Sequence, residues 1–320
     1  MSLACIVSSP FQLICIKEYL FKYPTKNPII IVLIYNEIEK KQLINLSKEL
    51  DLKFNFLIQG KKILQYLILF KLKIKLGNID KFIIGNYFSD PHIFLYNILK
   101  PKKCCLVDDG LNSFRVMDSI LEGQKNNLSF FKNLFKKQFQ YPEKLKFFTI
   151  FDFKKNKIKF NIDHNDFKYL SGKIVKFKRS DSTYIIGQPF VELDILLFKD
   201  YILGLEKITN NNVKTIYIPS RKESDKNLAK IKNHLKITIL NTDLNIENYL
   251  IKNRIIPKKI VGFTSSALVS LNRIFNSKKN NIGIKSYRPN KMINSTLNNY
   301  SFDQFYNFLK NNNIQITEYD

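Results

Sequence analysis

Asp108-Asp109-Gly110 follows the apolar run Cys104 to Val107, so two carboxylates leave the end of a strand together, and the glycine permits a sharp turn. One of them can act as a general base whose basicity is raised by its like-charged neighbour; Asp-Gly is equally an ordinary turn. Gly110 gives Asp109 freedom to project, which makes Asp109 the preferred base and Asp108 the alternative. Paired carboxylates also bind hard divalent cations, but no third acidic ligand is close in sequence, and no metal is expected. Pro219-Ser220-Arg221-Lys222-Glu223 has the S-x-x-E form of a capping box. A helix beginning near Glu223 would present free N–H groups there, and Arg221 adds a fixed charge for phosphate.

Thr264-Ser265-Ser266 lies between the apolar run Lys259 to Phe263 and the helical run Ala267 to Phe275. One of these hydroxyls is expected as an N-cap, and the surplus, Ser265 or Ser266, can hydrogen-bond a phosphate or carboxylate. Gly187-Gln188-Pro189 allows close backbone approach to a ligand, with the spacing of neither a dinucleotide fingerprint nor a P-loop. Glu247 can accept from ribose hydroxyls or simply favour a helix N-terminus. His92, His164 and His234 are scattered without zinc or hydrolase spacing and read as structural.

Residues of this kind need a frame that brings them to one edge. Short apolar runs alternate with helical stretches almost from end to end, the pattern of parallel sheets covered by helices on both faces. Strands are expected at Leu3 to Val7, Ile29 to Ile34, Phe54 to Leu57, Lys81 to Ile84, Cys104 to Val107 and Phe147 to Phe151. The second series is Tyr184 to Ile186, Thr215 to Ile218, Ile237 to Leu240, Lys259 to Phe263 and Ile282 to Ile284. Helices are expected over Pro10 to Tyr23, Glu37 to Leu50 and Val191 to Leu205. The polar stretch ending at Ser182 reads as a linker, giving an N-terminal Rossmann-like domain over 1–160, a linker over 161–182 and a C-terminal Rossmann-like domain over 183–320. In such sheets ligands bind beyond the carboxyl ends of the strands, where Asp108-Asp109-Gly110, Gly187-Gln188-Pro189, Pro219 to Glu223 and Thr264-Ser265-Ser266 fall. The expected fold is α/β, with two doubly wound domains facing each other across a cleft.

A chain of 320 residues that is 45% hydrophobic and 13% aromatic, with 10 Gly and 10 Pro, is neither disordered nor collagen-like. Its formal net charge of +25 would suit nucleic acid or an anionic membrane. Only Arg115, Arg179, Arg221, Arg254, Arg273 and Arg288 can make bidentate phosphate and base contacts, and the lysines are spread through every segment, so specific nucleic-acid binding is not expected. Cys5, Cys15, Cys104 and Cys105 have no C-x-x-C spacing, the N-terminus has no cleavage signature, and no run approaches 18 apolar residues; a cytoplasmic protein is expected. Leu128, Phe131, Leu134, Phe135 and Phe139 recur at helical spacing among Lys132, Lys136 and Lys137. That pattern fits either a core-facing helix with a solvated face or a helix lying on the inner face of the cell membrane.

In chain order, Ser9-Pro10-Phe11-Gln12-Leu13, Val107-Asp108-Asp109-Gly110, Gly187-Gln188-Pro189, Pro219-Ser220-Arg221-Lys222-Glu223 and Phe263-Thr264-Ser265-Ser266-Ala267-Leu268 resemble the bacterial sialyltransferases. The set is similar to the polysialyltransferase-like and family 52 glycosyltransferases, over residues 3 to about 270. The resemblance implies a metal-independent, inverting sialyltransferase of GT-B fold without a cofactor, with CMP-sialic acid as donor and a lipooligosaccharide or capsule glycan as acceptor. It places the base on Asp108 or Asp109 and the donor phosphate on Ser265 and Ser266. Gly187, Gln188, Pro219, Ser220, Arg221 and Glu247 complete the nucleotide site. Ser220 stands where that family carries a histidine. A serine supplies only a neutral hydrogen bond to the departing phosphate, so a different nucleotide sugar, or a non-catalytic anion- or membrane-binding role, is the alternative.

Overall fold

Runs such as Leu3–Val7 and Ile29–Ile34 carry no charge and are rich in branched side chains, which suits strands covered on both faces. The computed structural model describes residues 2–121, 136–151, 161–209, 214–277, 280–292 and 299–320. The chain divides into two compact units, the first comprising Met1–Tyr169 with Asp243–Asn245, the second Leu170–Thr242 with Ile246–Asp320.

In the first unit the elements run β1 (Leu3–Val7), α1 (Pro10–Lys22), β2 (Ile29–Ile34), α2 (Glu37–Glu49), β3 (Phe56–Gln59), α3 (Lys62–Leu76), β4 (Lys81–Ile84), α4 (Asp90–Leu99), β5 (Lys103–Val107), α5 (Asn112–Leu121), β6 (Leu145–Thr149) and β7 (Asn161–His164). The strands pair in parallel in the order β3-β2-β1-β4-β5-β6-β7. Its central strands are fully buried, each Ile or Leu there contributing about 1.5–3 kcal/mol on leaving water.

The short helix α6 (Lys168–Gly172) spans the boundary. The second unit continues with β8 (Lys178–Ile186), α7 (Phe198–Thr209), β9 (Thr215–Ile218), α8 (Asp225–Leu235), β10 (Thr238–Ile239), α9 (Ile246–Lys252), β11 (Ile255–Gly262), α10 (Ser266–Leu271), β12 (Gly283–Pro289), α11 (Asn299–Asn311) and β13 (Gln315–Tyr319). Its order is β10-β9-β8-β11-β12-β13, again all parallel. Counted from its own first strand, each sheet therefore opens 3-2-1-4-5-6, the doubly wound arrangement, with switch points at β1/β4 and β8/β11.

Three expectations need correction. Residues 161–182 are not a bare linker, since they hold β7, α6 and the polar first half of β8, with the unit boundary at 169/170. β7 escaped detection because an edge strand needs little apolar sequence. Its Asp163 is held instead by Lys22, Lys146 and Tyr23 at 2.6, 2.8 and 2.6 Å. Burial pushes that carboxyl up, but these three donors outweigh it and hold it at about 2. The helix expected over Val191 to Leu205 begins only at Phe198, the preceding residues forming turns through Leu193 N–H to Pro189 O and Ile195 N–H to Phe190 O. The capping box at Ser220 does not start a helix: α8 begins at Asp225 with Ser224 as its N-cap. Of the basic amphipathic stretch, Leu128, Phe131, Lys132, Leu134 and Phe135 lie outside the described residues, while Phe139 is buried beside Tyr66 and Phe94.

Candidate functional site

At the first switch point β1 runs into Ser8 and Ser9. Ser9 caps α1, with Pro10 at the first helical position, where its missing N–H costs nothing. One turn on, the buried Gln12 folds its side chain back: Oε1 accepts from Ser8 N–H at 2.7 Å. That bond settles the amide's orientation, so Nε2 is the atom that donates to Asp109 Oδ1 at 2.7 Å. Gly85, at the end of β4, lets the amide fit, because a Cβ there would come within 2.4 Å of Gln12 Oε1. The other oxygen of Asp109 accepts from Asn112 Nδ2 at 3.1 Å. Gly110, at φ +62°, takes the left-handed turn the tripeptide requires.

The two carboxylates are treated very differently. Asp108 is 1% exposed and accepts from Ser113 Oγ at 2.8 Å, Thr149 Oγ1 at 2.6 Å and Ile150 N–H at 2.6 Å, which ties β5 to α5 and to the end of β6. Asp109 is half-buried at the sheet edge and held by two neutral amides. Strand alternation turns the first inward and leaves the second at the rim.

In the second unit Ile218, Ile186 and Gly262 are aligned in register across β9, β8 and β11. Pro219-Ser220, Gly187-Gln188 and Thr264-Ser265 therefore emerge on adjacent strands, across roughly 10 Å. Ser265 is the N-cap of α10, its Oγ accepting from Ala267 N–H at 3.3 Å, and Ser265 and Ser266 are both half-buried. Arg221 is exposed on the turn after β9. Beneath that turn lies a hydrogen-bonded chain the sequence did not announce. Gln188 N–H donates to Tyr201 Oη at 2.9 Å, Tyr201 and Tyr217 hydroxyls meet at 2.8 Å, Tyr217 donates to Glu223 Oε1 at 2.5 Å, and Ser220 N–H donates to Glu223 Oε2 at 2.5 Å.

Burial raises the Glu223 carboxyl to about 7, against the pull of its Tyr217 and Ser220 donors, with Glu192 adding a smaller upward push. Burial likewise pushes both tyrosine hydroxyls well up, which keeps them as donors. Gly187 is required by this chain, since a Cβ would meet Glu223 Oε2 and the Tyr217 hydroxyl at 2.5 Å each.

Glu247 is placed on α9 with its carboxylate buried and accepting from Ser270 Oγ at 2.5 Å. His92 is fully buried and accepts from Asn86 N–H at Nδ1, and burial holds it neutral, at about 3. His234 pairs with Glu206 at 2.8 Å. Among the described residues no group of three or more His, Cys, Asp or Glu is placed to hold a metal ion. The structure thus brings Gly187, Gln188, Pro219, Ser220, Arg221, Ser265 and Ser266 to one edge of the second sheet, and Asp108 and Asp109 to the same kind of edge of the first. Gln12, Glu223, Tyr201 and Tyr217 are added. Gln12 was visible only as a letter of the Ser9-Pro10-Phe11-Gln12-Leu13 motif, and Glu223 only as half of a capping box.

No known protein family matches the chain, and no curated protein does. Among solved structures it is similar to MnaA of S. aureus with UDP, at a TM-score of 0.58 and 8% identity over 90% of this chain and 79% of that one. It is also similar to the UDP-GlcNAc 2-epimerase of Neisseria meningitidis bound to UDP-GlcNAc, at a TM-score of 0.51 and 8% identity over 90% and 82%. A UDP-N-acetylglucosamine 2-epimerase matches at a TM-score of 0.55 and 10% identity over 99% and 84%. At such identities the likeness shows the fold alone, the α/β, two-domain Rossmann-like fold of GT-B type.

Proposed function

We propose that the protein is a metal-independent, inverting glycosyltransferase that moves sialic acid from CMP-sialic acid to a cell-surface glycan. The observation that carries it is the half-open Asp109 carboxylate, oriented between Gln12 and Asn112 while its neighbour Asp108 is consumed by the fold. In this reaction the acceptor hydroxyl oxygen bonds to the anomeric carbon as the bond from that carbon to the donor phosphate breaks. The hydroxyl proton passes to Asp109, and CMP leaves with the electron pair.

The second sheet's edge suits the donor. Ser265 and Ser266 offer hydroxyls and Arg221 a fixed charge, and Gly187 and Gln188, held from beneath by Tyr201, Tyr217 and Glu223, are proposed as the stretch of backbone beside the nucleotide. Structures of the same fold hold UDP and UDP-GlcNAc, which supports a nucleotide-sugar partner. Glu247, already bound to Ser270, is proposed as the residue beside the ribose. Ser220, where the resembled family carries a histidine, favours a second reading in which the transferase uses another nucleotide sugar. Glu223 anchors the Ser220 amide in either case, which fixes the turn that carries Ser220 and Arg221.

Incubating the purified protein with CMP-sialic acid, UDP-GlcNAc and ADP- and GDP-sugars, and following the released nucleotide, tests both. CMP release that disappears in Asp109→Asn supports the first reading; release from another donor alone selects the second. No turnover of any donor, or epimerised sugar as the product, would sink both.

A further inference from the structure

Helix α3 carries apolar residues on two opposite faces. Gln65, Leu69 and Leu72 point into the unit and are buried, and Tyr66 packs on Phe94 at 5.0 Å between ring centroids. Ile63, Leu67, Phe70 and Ile74 recur at i, i+4, i+7 and i+11, which gathers them in one stripe on the other side. They are 73%, 57%, 56% and 80% exposed, with Leu64 beside them at 49%. At 100° per residue Lys71 and Lys73 flank the stripe on its two sides, and Lys75 lies just beyond; all three are exposed. From residue 52 to residue 79 the chain contains Lys53, Lys61, Lys62, Lys71, Lys73 and Lys75 and no carboxylate.

A soluble surface does not leave such a stripe bare without a use for it. We propose that α3 lies in the headgroup region of an anionic phospholipid bilayer, its outward stripe entering the acyl boundary and its lysines meeting lipid phosphates. The charge selects this occupant over a second copy of the chain: joining two such faces would bring two lysine rows together with no acidic residue of either stretch to offset them. The helix is 15 residues long, about 22 Å, and no helix among the described residues is long and apolar enough to cross a membrane, so the contact is in-plane. This inference does not rest on the transferase reading, and it concerns α3 and not the basic stretch at 128–139.

The test is sedimentation of the full chain with phosphatidylcholine vesicles, with and without phosphatidylglycerol. Binding is expected with the anionic vesicles, falling as salt is raised. It should drop at least about tenfold in Leu67→Ser/Phe70→Ser/Ile74→Ser and in Lys71→Gln/Lys73→Gln/Lys75→Gln, with thermal melting unchanged because these side chains are exposed. The chain has no Trp, so Phe70→Trp supplies a single reporter whose emission should shift to the blue on those vesicles whatever the multiple variants do. Absence of binding by the intact chain, full binding by the serine variant, an unmoved Phe70→Trp emission, or a lipid-free oligomer that the serine variant dissolves would each overturn the proposal.

Discussion

Asp108 and Asp109 are neighbours in sequence and opposites in use, and substitution should separate them. Asp109→Asn removes the base and keeps one acceptor oxygen for Gln12, while its new amide nitrogen faces Asn112, which must turn its own amide to accept; donor turnover to acceptor should fall by at least about a hundredfold, with melting little changed because the site is half-exposed. Asp108→Ala strands three buried donors, Ser113, Thr149 and Ile150 N–H, and should cost about 3 kcal/mol in denaturant unfolding. Equal behaviour of the two variants in both assays would undo the assignment. Gln12→Ala should lower kcat roughly tenfold by loosening the base, with donor KM unmoved, because Gln12 bonds Asp109 and belongs to the first unit, while the residues proposed for the nucleotide belong to the second. The acidic pair and its turn were legible in three letters. Which carboxylate is open was not, because the deciding partners Gln12 and Thr149 are 97 and 41 residues away in the chain.

At the scale of elements, legibility followed burial. β1, β2, β4 and β9 read clearly because both faces are covered and every residue is apolar or nearly so. β7 and β13 lie at sheet edges with mixed sequences, Asn161–His164 and Gln315–Tyr319, and their pairing comes from the neighbouring strand rather than from their own pattern. The turn after β9 was read as a helix start because a capping box and a glutamate that pins a turn share the same spacing. That turn has a pH signature. The native state raises the Glu223 carboxyl to about 7, so it holds the proton more tightly than the unfolded chain does. The stability this contributes is complete below the ordinary glutamate range and is lost as pH rises through 7, in all about 3 kcal/mol. Glu223→Gln should therefore gain on the parent protein by about that amount between roughly pH 4 and pH 8, measured as the difference of two urea-unfolding series. Parallel pH curves would mean that the carboxyl is not raised.

On the scale of the whole molecule, two sheets of the same strand order carry different residues at their switch points. Carboxamide and carboxylate occupy the first; hydroxyls, glycine and an arginine turn occupy the second. On the proposed function the nucleotide belongs to the second unit alone, and that placement can be tested without any chemistry. The second unit has its own core, in which Phe190, Tyr201, Phe263 and Tyr319 are buried together, with Phe263 packed edge-on to Phe190 at 5.5 Å and to Tyr319 at 6.2 Å. Such a core predicts that residues 170–320 expressed alone fold with one cooperative transition. Calorimetry should then find that this fragment binds the nucleotide of the preferred donor within about tenfold of the intact chain, since each contact proposed for the nucleotide comes from it. Gly187→Ala in the same fragment should abolish that binding, because the added methyl displaces Glu223 and Tyr217 from beneath the turn. A folded fragment that ignores a nucleotide the full chain binds would place the donor's recognition on the first sheet, and the roles given to the two edges would have to be exchanged.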